Sequence, residues 1–197
     1  MRRRSQVTSK RGDKGETTTL GGDDVSKSHP VIECCGCVDE LRAAVALVRQ
    51  EMIIQRPEDA ESQSFLWWLL HCCFAIGSQC SDPRNAHPEY RKVDIGKAHI
   101  NALEAFQHRL EEAVQLPKSF IVSASNPIAA RVDVLTTQAR RLERALVRVK
   151  ESVPEFESTN LLVFVNRLSD TLYMLARKLE DGKFQPVDYT TIEKNQL

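Results

Sequence analysis

PIAARVDVLTTQARRLERALVRVKESV, residues 127–153, is the stretch that decides the fold. Its apolar side chains recur at helical spacing, which places them on one face of an amphipathic α-helix. The other positions are largely polar or charged, as expected for a face that contacts water. The stretch therefore predicts one long helix with a single buried stripe, formed by Val132, Leu135, Ala139, Leu142 and Val149.

Four further segments are apolar at helical spacing or over most of their length and predict four further helices. They cover residues 38–54, 65–76, 100–114 and 157–179. No segment alternates apolar and polar residues over a sustained length, and the sequence lacks the glycine-rich punctuation of βαβ units. We therefore expect an all-α fold, an up-down bundle of four or five helices.

Length and composition indicate one domain spanning residues 1–197. A chain of 197 residues, 42% of them hydrophobic, can bury a substantial core. Both ends are polar, so we expect residues 1–7 and about 181–197 to be flexible. Phe184, Val187 and Tyr189 are the apolar residues through which the carboxyl-terminal part could dock on a neighbour.

Charge and hydropathy argue against two classes of partner. Lys plus Arg equals Asp plus Glu at 27 each, so no overall field draws the chain to nucleic acid or to an anionic membrane. The longest apolar run, residues 65–76, is too short to span a bilayer. We therefore expect a soluble protein that binds neither nucleic acid nor membrane.

Six cysteines occur without a secretory signal, which favours reduced thiols in an intracellular compartment. The start is basic, as a targeting segment would be, so the cytoplasm and the mitochondrial matrix both fit. Cysteines at 34–37 and the His-Cys-Cys run at 71–73 could together suggest a zinc site. Their spacing does not match the usual zinc knuckles, and residues 72–73 lie inside an apolar run, so we favour core packing.

The amino-terminal stretch RGDKGETTTLGG, residues 11–22, holds four of the eight glycines of the chain. Glycine lets backbone N–H groups converge on a ligand, while lysine and threonine supply charge and hydroxyl groups for phosphate. The stretch does not match the P-loop pattern, and no predicted strand precedes it. On composition alone, a polyphosphate cradle and a flexible tail remain equally compatible with it.

Polar residues cluster on the last two predicted helices. Arg140, Glu143 and Arg144 are helical neighbours, and Asn166 and Asp170 are one turn apart. A single such cluster is commonly a solvated, salt-bridged surface. Three polar clusters in one small bundle, counting the amino-terminal stretch, favour a binding site.

These clusters belong to an ordered set of motifs: GDKGETTTLGGDDVSK, CGCVDEL, SFIVSASNPIAA, RRLER and NRLSD. The set resembles the PduO-type ATP:cob(I)alamin adenosyltransferases. That family carries T-K-T-G-D-x-G-x-T, R-V-x-K, G-x-V-D-E-L, F-I-L-P-G-G, R-R-A-E-R and N-R-L-S-D in the same order. The resemblance extends from about residue 8 to residue 177.

The resemblance implies a ferritin-like five-helix bundle with an amino-terminal Gly/Thr-rich nucleotide-binding loop, and a homotrimer with active sites between subunits. The implied reaction is attack of cob(I)alamin on the 5′ carbon of ATP, which yields adenosylcobalamin and triphosphate. The implied co-substrate and metal are ATP and Mg²⁺. Implied partners are a cobalamin reductase that supplies Co(I) and a B12-dependent enzyme that accepts the product.

The resemblance also implies roles for individual residues. The implied catalytic residues are Arg140, Glu143 and Asn166, and Glu143 is implied to place Mg²⁺ directly or through water. Phe120, Asp39 and Asp170 lie on the cobalamin side, and Phe120 matches the aromatic residue that packs below the corrin. The implied nucleotide-binding set is Ser9, Lys10, Gly12, Thr17, Thr18, Lys27, Arg140, Arg141, Glu143, Arg144 and Asn166.

Several positions depart from the family pattern. The family histidine and arginine before R-R-A-E-R are Asp133 and Thr136 here, and P-G-G is replaced by residues 123–125, Ser-Ala-Ser. The arginine of R-V-x-K is Asp24, and the second threonine of T-K-T-G is Arg11.

The missing arginine would pair across the subunit interface with the aspartate that corresponds to Asp39. We therefore hypothesise a replacement pair between Arg42 and Asp133. Two functions stay open at this point: a working adenosyltransferase, and a non-catalytic relative that binds ATP or cobalamin as a carrier, sensor or scaffold.

Overall fold

The computed structural model describes Lys10 and residues 12–193, and it is a helical bundle, as predicted. Within these residues, five long helices form the body of the bundle and a short sixth helix follows them. The same residues include four short strands, which form two separate two-stranded antiparallel sheets. The helices are α1 Pro30–Gln55, α2 Ala60–Ser81, α3 Lys97–Ala113, α4 Pro127–Ser152, α5 Thr159–Leu179 and α6 Thr190–Glu193; the strands are β1 Glu16–Thr18, β2 Asp24–Ser26, β3 Ile121–Val122 and β4 Gln185–Pro186.

The long helices pack in a ring in which α4 lies between α1 and α5. Helix α2 packs on the other side of α1, and α3 packs on the other side of α5. Aromatic contacts close the ring between α2 and α3, where the rings of Phe65 and Phe106 stack with centroids 4.1 Å apart. The apolar stripe predicted for α4 is fully buried in this core, at Val132, Leu135, Ala139, Leu142 and Val149.

Helix α1 begins eight residues before the predicted position. His29 caps it by accepting a hydrogen bond on Nδ1 from the backbone N–H of Val31, and Pro30 suits the first turn because the N–H it lacks has no helical partner there. Val31 and Cys34 extend the buried face of the helix. The apolar periodicity alone did not identify this start, because the residues between 30 and 37 include three cysteines and a glycine.

A hairpin precedes α1, although the sequence analysis predicted a loop without strands. In this amino-terminal hairpin, residues 12–28, β1 and β2 pair in register from Glu16 with Ser26 to Thr18 with Asp24. Its turn packs on the carboxyl end of α2, where the Gly21 N–H donates to the carbonyl of Ser81. A side chain at Gly21 would lie 2.9 Å from the buried carboxylate of Asp82, so this close approach requires glycine.

The second sheet lies at the opposite end of the bundle. Strand β3 follows the connection from α3 and pairs with β4, which comes after α5. Helix α4 connects the two ends, since it begins beside β3 and ends beside the amino-terminal hairpin. Its 26 residues rise about 1.5 Å each, so the two sheets are separated by about 39 Å. In the described part of the chain, no helix is long and apolar enough to cross a membrane.

The cysteines pack in the core, as predicted. Five of the six are buried between α1 and α2, and Cys35 is half-buried. Burial raises the pKa of Cys35, Cys72 and Cys73 from 9.0 to about 12. Within residues 12–193, no three His, Cys, Asp or Glu side chains are grouped closely enough to hold a metal ion.

We expect these three thiols to react slowly with Ellman's reagent in the native protein. A pKa of about 12 leaves roughly a thousandfold less thiolate at pH 8 than a pKa of 9.0 does, and the thiolate is the reactive form. Unfolding in guanidinium should expose all six thiols at once. A rapid native reaction of four or more thiols would contradict the buried arrangement.

Candidate functional site

The outward face of α4 carries a row of arginines. Arg140 and Arg144 are exposed and one helical turn apart, so both side chains lie on the same side of the helix. Arg141 lies toward α1, where its guanidinium contacts Glu33 at 3.1 Å and Glu40 at 3.0 Å. The face that remains open to solvent therefore presents positive charge from Arg140 and Arg144.

A hydrogen bond beside this face joins α4 to α5. The side-chain amide of Asn166 donates to Oε1 of Glu143 at 2.9 Å. Among the residues that the structure describes, Oε2 of Glu143 has no hydrogen-bond partner. One carboxylate oxygen is thus fixed by the neighbouring helix, and the other is open to a ligand or a metal-bound water.

Asp170 lies one turn after Asn166 on α5, and both line a polar cleft between α3 and α5. The cleft has a volume of about 380 Å³. Arg167 crosses it to contact Glu104 of α3 at 2.7 Å. The structure therefore places Asp170 near the Glu143–Asn166 pair, while Phe120 lies at the far end of the bundle.

The amino-terminal hairpin presents the other polar cluster. The ammonium group of Lys27 lies over Gly12, where an added Cβ atom would be 2.8 Å from Nζ. Only glycine at position 12 allows this approach without displacing the lysine. Lys10 is exposed and has φ of 61°. Ser9 and Arg11 lie outside the described residues.

The threonines of the hairpin differ in their availability. Thr17 is half-buried and pairs with Val25 across the sheet. The hydroxyl of Thr18 donates to the carboxylate of Asp24 at 2.6 Å. This hydrogen bond takes up the proton of the Thr18 hydroxyl and places the negative charge of Asp24 beside it.

Phe120 lies at the opposite end of the bundle and is 79% exposed. The Phe120 segment, residues 120–126, leads from β3 into α4. Asn126 caps α4 by accepting from the N–H of Ala129, and its amide donates to the carbonyl of Leu179 at 2.7 Å. The backbone of Val187 donates to the carbonyl of Phe120 at 2.9 Å. The exposed ring of Phe120 thus belongs to a segment that is hydrogen-bonded to the end of α5.

The hypothesised Arg42–Asp133 pair would join two subunits, and within one chain each residue has a different partner. Arg42 contacts Asp39 at 3.0 Å, one turn away on α1, so Asp39 already has a charged partner. Asp133 contacts Arg177 of α5 at 2.7 Å. Both side chains therefore have an oppositely charged neighbour inside one chain, and the pair between subunits stays a prediction.

Two sets of charged residues were not evident from the sequence. Glu33 and Glu40, the partners of Arg141, are seven residues apart and share one face of α1, which becomes visible only if the helix starts at Pro30. Arg177 is 1% exposed, which no local pattern indicated. Thr136 is buried and donates its hydroxyl to the carbonyl of Val132.

The helical arrangement and the polar clusters agree with the resemblance to the adenosyltransferases. A comparison with protein families shows to which family the chain belongs. The family model described as Cobalamin adenosyltransferase matches residues 7–179. The chain belongs to the cobalamin adenosyltransferase family.

Members of the cobalamin adenosyltransferase family among curated proteins are similar over most of this chain. The corrinoid adenosyltransferase PduO of Salmonella typhimurium is 31% identical over 97% of the chain and 54% of its own length. PduO of Citrobacter freundii is 34% identical over 87% of the chain and 49% of its own length. The chain thus spans about half the length of these two relatives, whereas a cobalamin adenosyltransferase of Cupriavidus metallidurans, 31% identical, is matched over 89%.

Solved structures of cobalamin adenosyltransferases share the fold. A variant of the PduO-type ATP:corrinoid adenosyltransferase from Lactobacillus reuteri, complexed with cobalamin and ATP, superposes with a TM-score of 0.81 at 24% identity. The alignment covers 92% of this chain and 96% of that one. A second variant of the same protein superposes with a TM-score of 0.79 at 25% identity.

Removing Arg141 should leave the stability of the protein unchanged. Arg141 and its partners Glu33 and Glu40 are about half exposed, and exposed ion pairs contribute little because water screens them. We expect Arg141→Met to unfold at the wild-type urea concentration.

Arg177→Met is the matched control for a buried arginine. It should lower the free energy of unfolding by about 3 kcal/mol or more, because it leaves buried carboxylates without their partner. Equal urea midpoints for the two variants would contradict the burial of Arg177.

Proposed function

We propose that the protein transfers the 5′-deoxyadenosyl group of ATP to cob(I)alamin, giving adenosylcobalamin and triphosphate. The observation that carries the proposal is the open arginine face of α4 beside the Glu143–Asn166 hydrogen bond, within a chain of this family. In the reaction, a bond forms between Co(I) and the 5′ carbon while the bond from that carbon to the triphosphate oxygen breaks. The electron pair of the broken bond leaves with triphosphate.

The residues of α4 and α5 would act mainly by position and charge. Arg140 and Arg144 would neutralise the triphosphate as negative charge develops on the departing oxygen. Asn166 would orient Glu143 and contact the nucleotide. These groups lower the barrier without proton transfer, because the nucleophile needs no base and the leaving group is stabilised by cations.

Glu143 suits a magnesium ion shared with ATP. Mg²⁺ commonly binds through one or two carboxylates together with phosphate oxygens and waters. Oε2 of Glu143 is free of protein partners within the described chain, so it meets this requirement. When bound, Mg²⁺ would supply positive charge to the triphosphate.

A complete site would require two or more chains. Lys10, Gly12 and Lys27 lie at one end of the bundle and Phe120 at the other, about 39 Å away by the length of α4. A nucleotide whose 5′ carbon meets a corrin cannot contact both ends of one chain. We therefore propose a homotrimer in which the hairpin of one subunit covers α4 and α5 of the next.

Phe120, Asp39 and Asp170 would form the cobalamin side of this composite site. The exposed ring of Phe120 offers an apolar surface below the corrin. Asp39 lies on α1 and Asp170 on α5, and α4 packs between these helices, so their joint action would depend on the neighbouring subunit. We place the protein inside the cell, in the cytoplasm or the mitochondrial matrix, with a cobalamin reductase upstream and a B12-dependent acceptor enzyme downstream.

A second candidate function is a non-catalytic carrier, sensor or scaffold for ATP or cobalamin. It is favoured by the hydrogen bond from Thr18 to Asp24 and by the burial of Thr136, which both alter expected contacts. The intact Lys27, Arg140, Glu143 and Asn166 favour catalysis over a relative that no longer binds ATP, because such a relative has no reason to retain the ATP-side residues.

Anaerobic incubation with chemically reduced cobalamin, ATP and Mg²⁺ tests the reaction, with the corrin spectrum as readout. We expect conversion to the alkylated product, and Arg140→Ala should lower kcat by about a hundredfold because one cation is removed from the leaving group. Arg148→Ala, an exposed arginine two turns further along α4, should retain the wild-type rate. Tight ATP binding without conversion would instead support the non-catalytic function.

Mixed oligomers test the composite site. Lys27→Ala impairs the hairpin and Phe120→Ala impairs the corrin side, so each should be poorly active alone. Co-expressed at equal levels, they should recover about a quarter of the wild-type activity, since some sites then receive both intact residues from different chains. No recovery in oligomers shown to be mixed would contradict a site shared between subunits.

A further inference from the structure

A buried ion cluster lies where α5 meets the start of α4. Arg177 and Glu180 are each 1% exposed, and Asp133 is largely buried. The guanidinium of Arg177 contacts Oδ2 of Asp133 at 2.7 Å, and its Nε lies 2.7 Å from Oε2 of Glu180. The guanidinium also stacks over the ring of Tyr173 at 4.9 Å. Arg177 thus donates a hydrogen bond to Asp133, while its contact with Glu180 is an ion pair without hydrogen-bond alignment, and one cation lies against two carboxylates.

The second carboxylate oxygen of Glu180 reaches the Phe120 segment. Oε1 accepts a hydrogen bond from the backbone N–H of Ser125 at 2.8 Å. The preceding residue, Ala124, has φ of 73°, a left-handed conformation that alanine rarely adopts. The hydrogen bond therefore fixes the residue that follows a strained turn.

Stability alone does not account for the cluster. Buried ion pairs are often no more stabilising than apolar side chains of the same volume, because each charge must leave water. The cluster also occupies two of the positions at which this chain departs from its family pattern, Asp133 in place of histidine and Ser-Ala-Ser at 123–125 in place of Pro-Gly-Gly. Glycine adopts positive φ without support, whereas alanine at the same place needs a contact to hold it.

We infer that Glu180, held by Arg177 and Asp133, is a positioning residue for Phe120. The ion cluster fixes the carboxylate, the carboxylate fixes the N–H of Ser125, and the turn at Ala124 then sets the direction in which β3 and Phe120 leave the bundle. The inference rests on the proposed function, in which Phe120 lies below the corrin. In this chain, the ion cluster supports a turn at the position where the family pattern has glycines.

Kinetics of Glu180→Ala separate positioning from general stability. We expect the KM for cob(I)alamin to rise about tenfold, because the loss of one charged hydrogen bond weakens binding by about that factor. The KM for ATP should stay within about twofold of the wild-type value. Glu180→Gln keeps an acceptor for Ser125 and should restore most of the affinity. The double variant Ala124→Gly/Glu180→Ala should have a KM for cob(I)alamin about threefold lower than that of Glu180→Ala, because glycine adopts the turn unaided.

Lys178→Met is the matched control. Lys178 follows Arg177 directly, but its ammonium group contacts Asp59, which caps α2, and Ser62 of α2. It should lower the urea midpoint and leave both KM values unchanged. Equal changes in the KM for ATP and for cob(I)alamin in Glu180→Ala would overturn the inference, as would a similar selective rise in Lys178→Met.

Hydrogen exchange distinguishes a failure of this inference from a failure of the proposed function. In Glu180→Ala, the amides of Ser125 and β3 should exchange at least about tenfold faster, with α1 and α2 unchanged. If the wild type lacks adenosyltransferase activity, the proposed function falls and the corrin role of Phe120 falls with it. Unchanged exchange in Glu180→Ala and Glu180→Gln overturns the support of the segment, whatever the activity.

Discussion

The burial of α4 between α1 and α5 is the constraint on which the rest of the structure depends. One stripe of apolar side chains fixes the rotation of the helix about its axis, and this rotation decides where every polar residue of the helix lies. Arg140 and Arg144 consequently lie in solvent, Arg141 meets the carboxylates of α1, and Glu143 meets Asn166 of α5. A shift of one residue in this packing would bury an arginine.

The same helix sets the distance between the two ends of the bundle. Its amino-terminal end carries the Phe120 segment, and its carboxyl-terminal end lies beside the amino-terminal hairpin. Because a packed helix neither shortens nor bends easily, motion within one chain cannot bring these clusters together. A site that combines them has to be assembled from separate copies, which links any catalysis by this chain to its association.

Much of the fold could be predicted from the sequence, because apolar periodicity reports directly on burial. The ends of α4 and α5 agree with the prediction within two residues, whereas the start of α1 did not, since its cap depends on a histidine ring nitrogen and a proline. The two short sheets were also missed. Strands of two or three residues are too short for alternation to appear, and their pairing depends on contacts distant in sequence.

Motifs in the sequence predicted which residues belong to the candidate site, but they did not predict most of the contacts between those residues. Glu143 and Asn166 were assigned by resemblance, and their hydrogen bond joins them as a pair. The partners of Arg42, Asp133 and Thr18 could not be obtained in the same way, because each depends on which neighbouring group comes within hydrogen-bond distance after packing. Substitution at one position, such as Asp24, changes the availability of a residue on the opposite strand.

The amino-terminal hairpin has a consequence for the speed of ligand capture. Its strands are paired and its turn is attached to the end of α2 by contacts within the chain itself, so little conformational entropy remains to be lost in residues 12–28. Encounter with a small anion would then be limited by diffusion and charge, with no folding step of the hairpin to slow it.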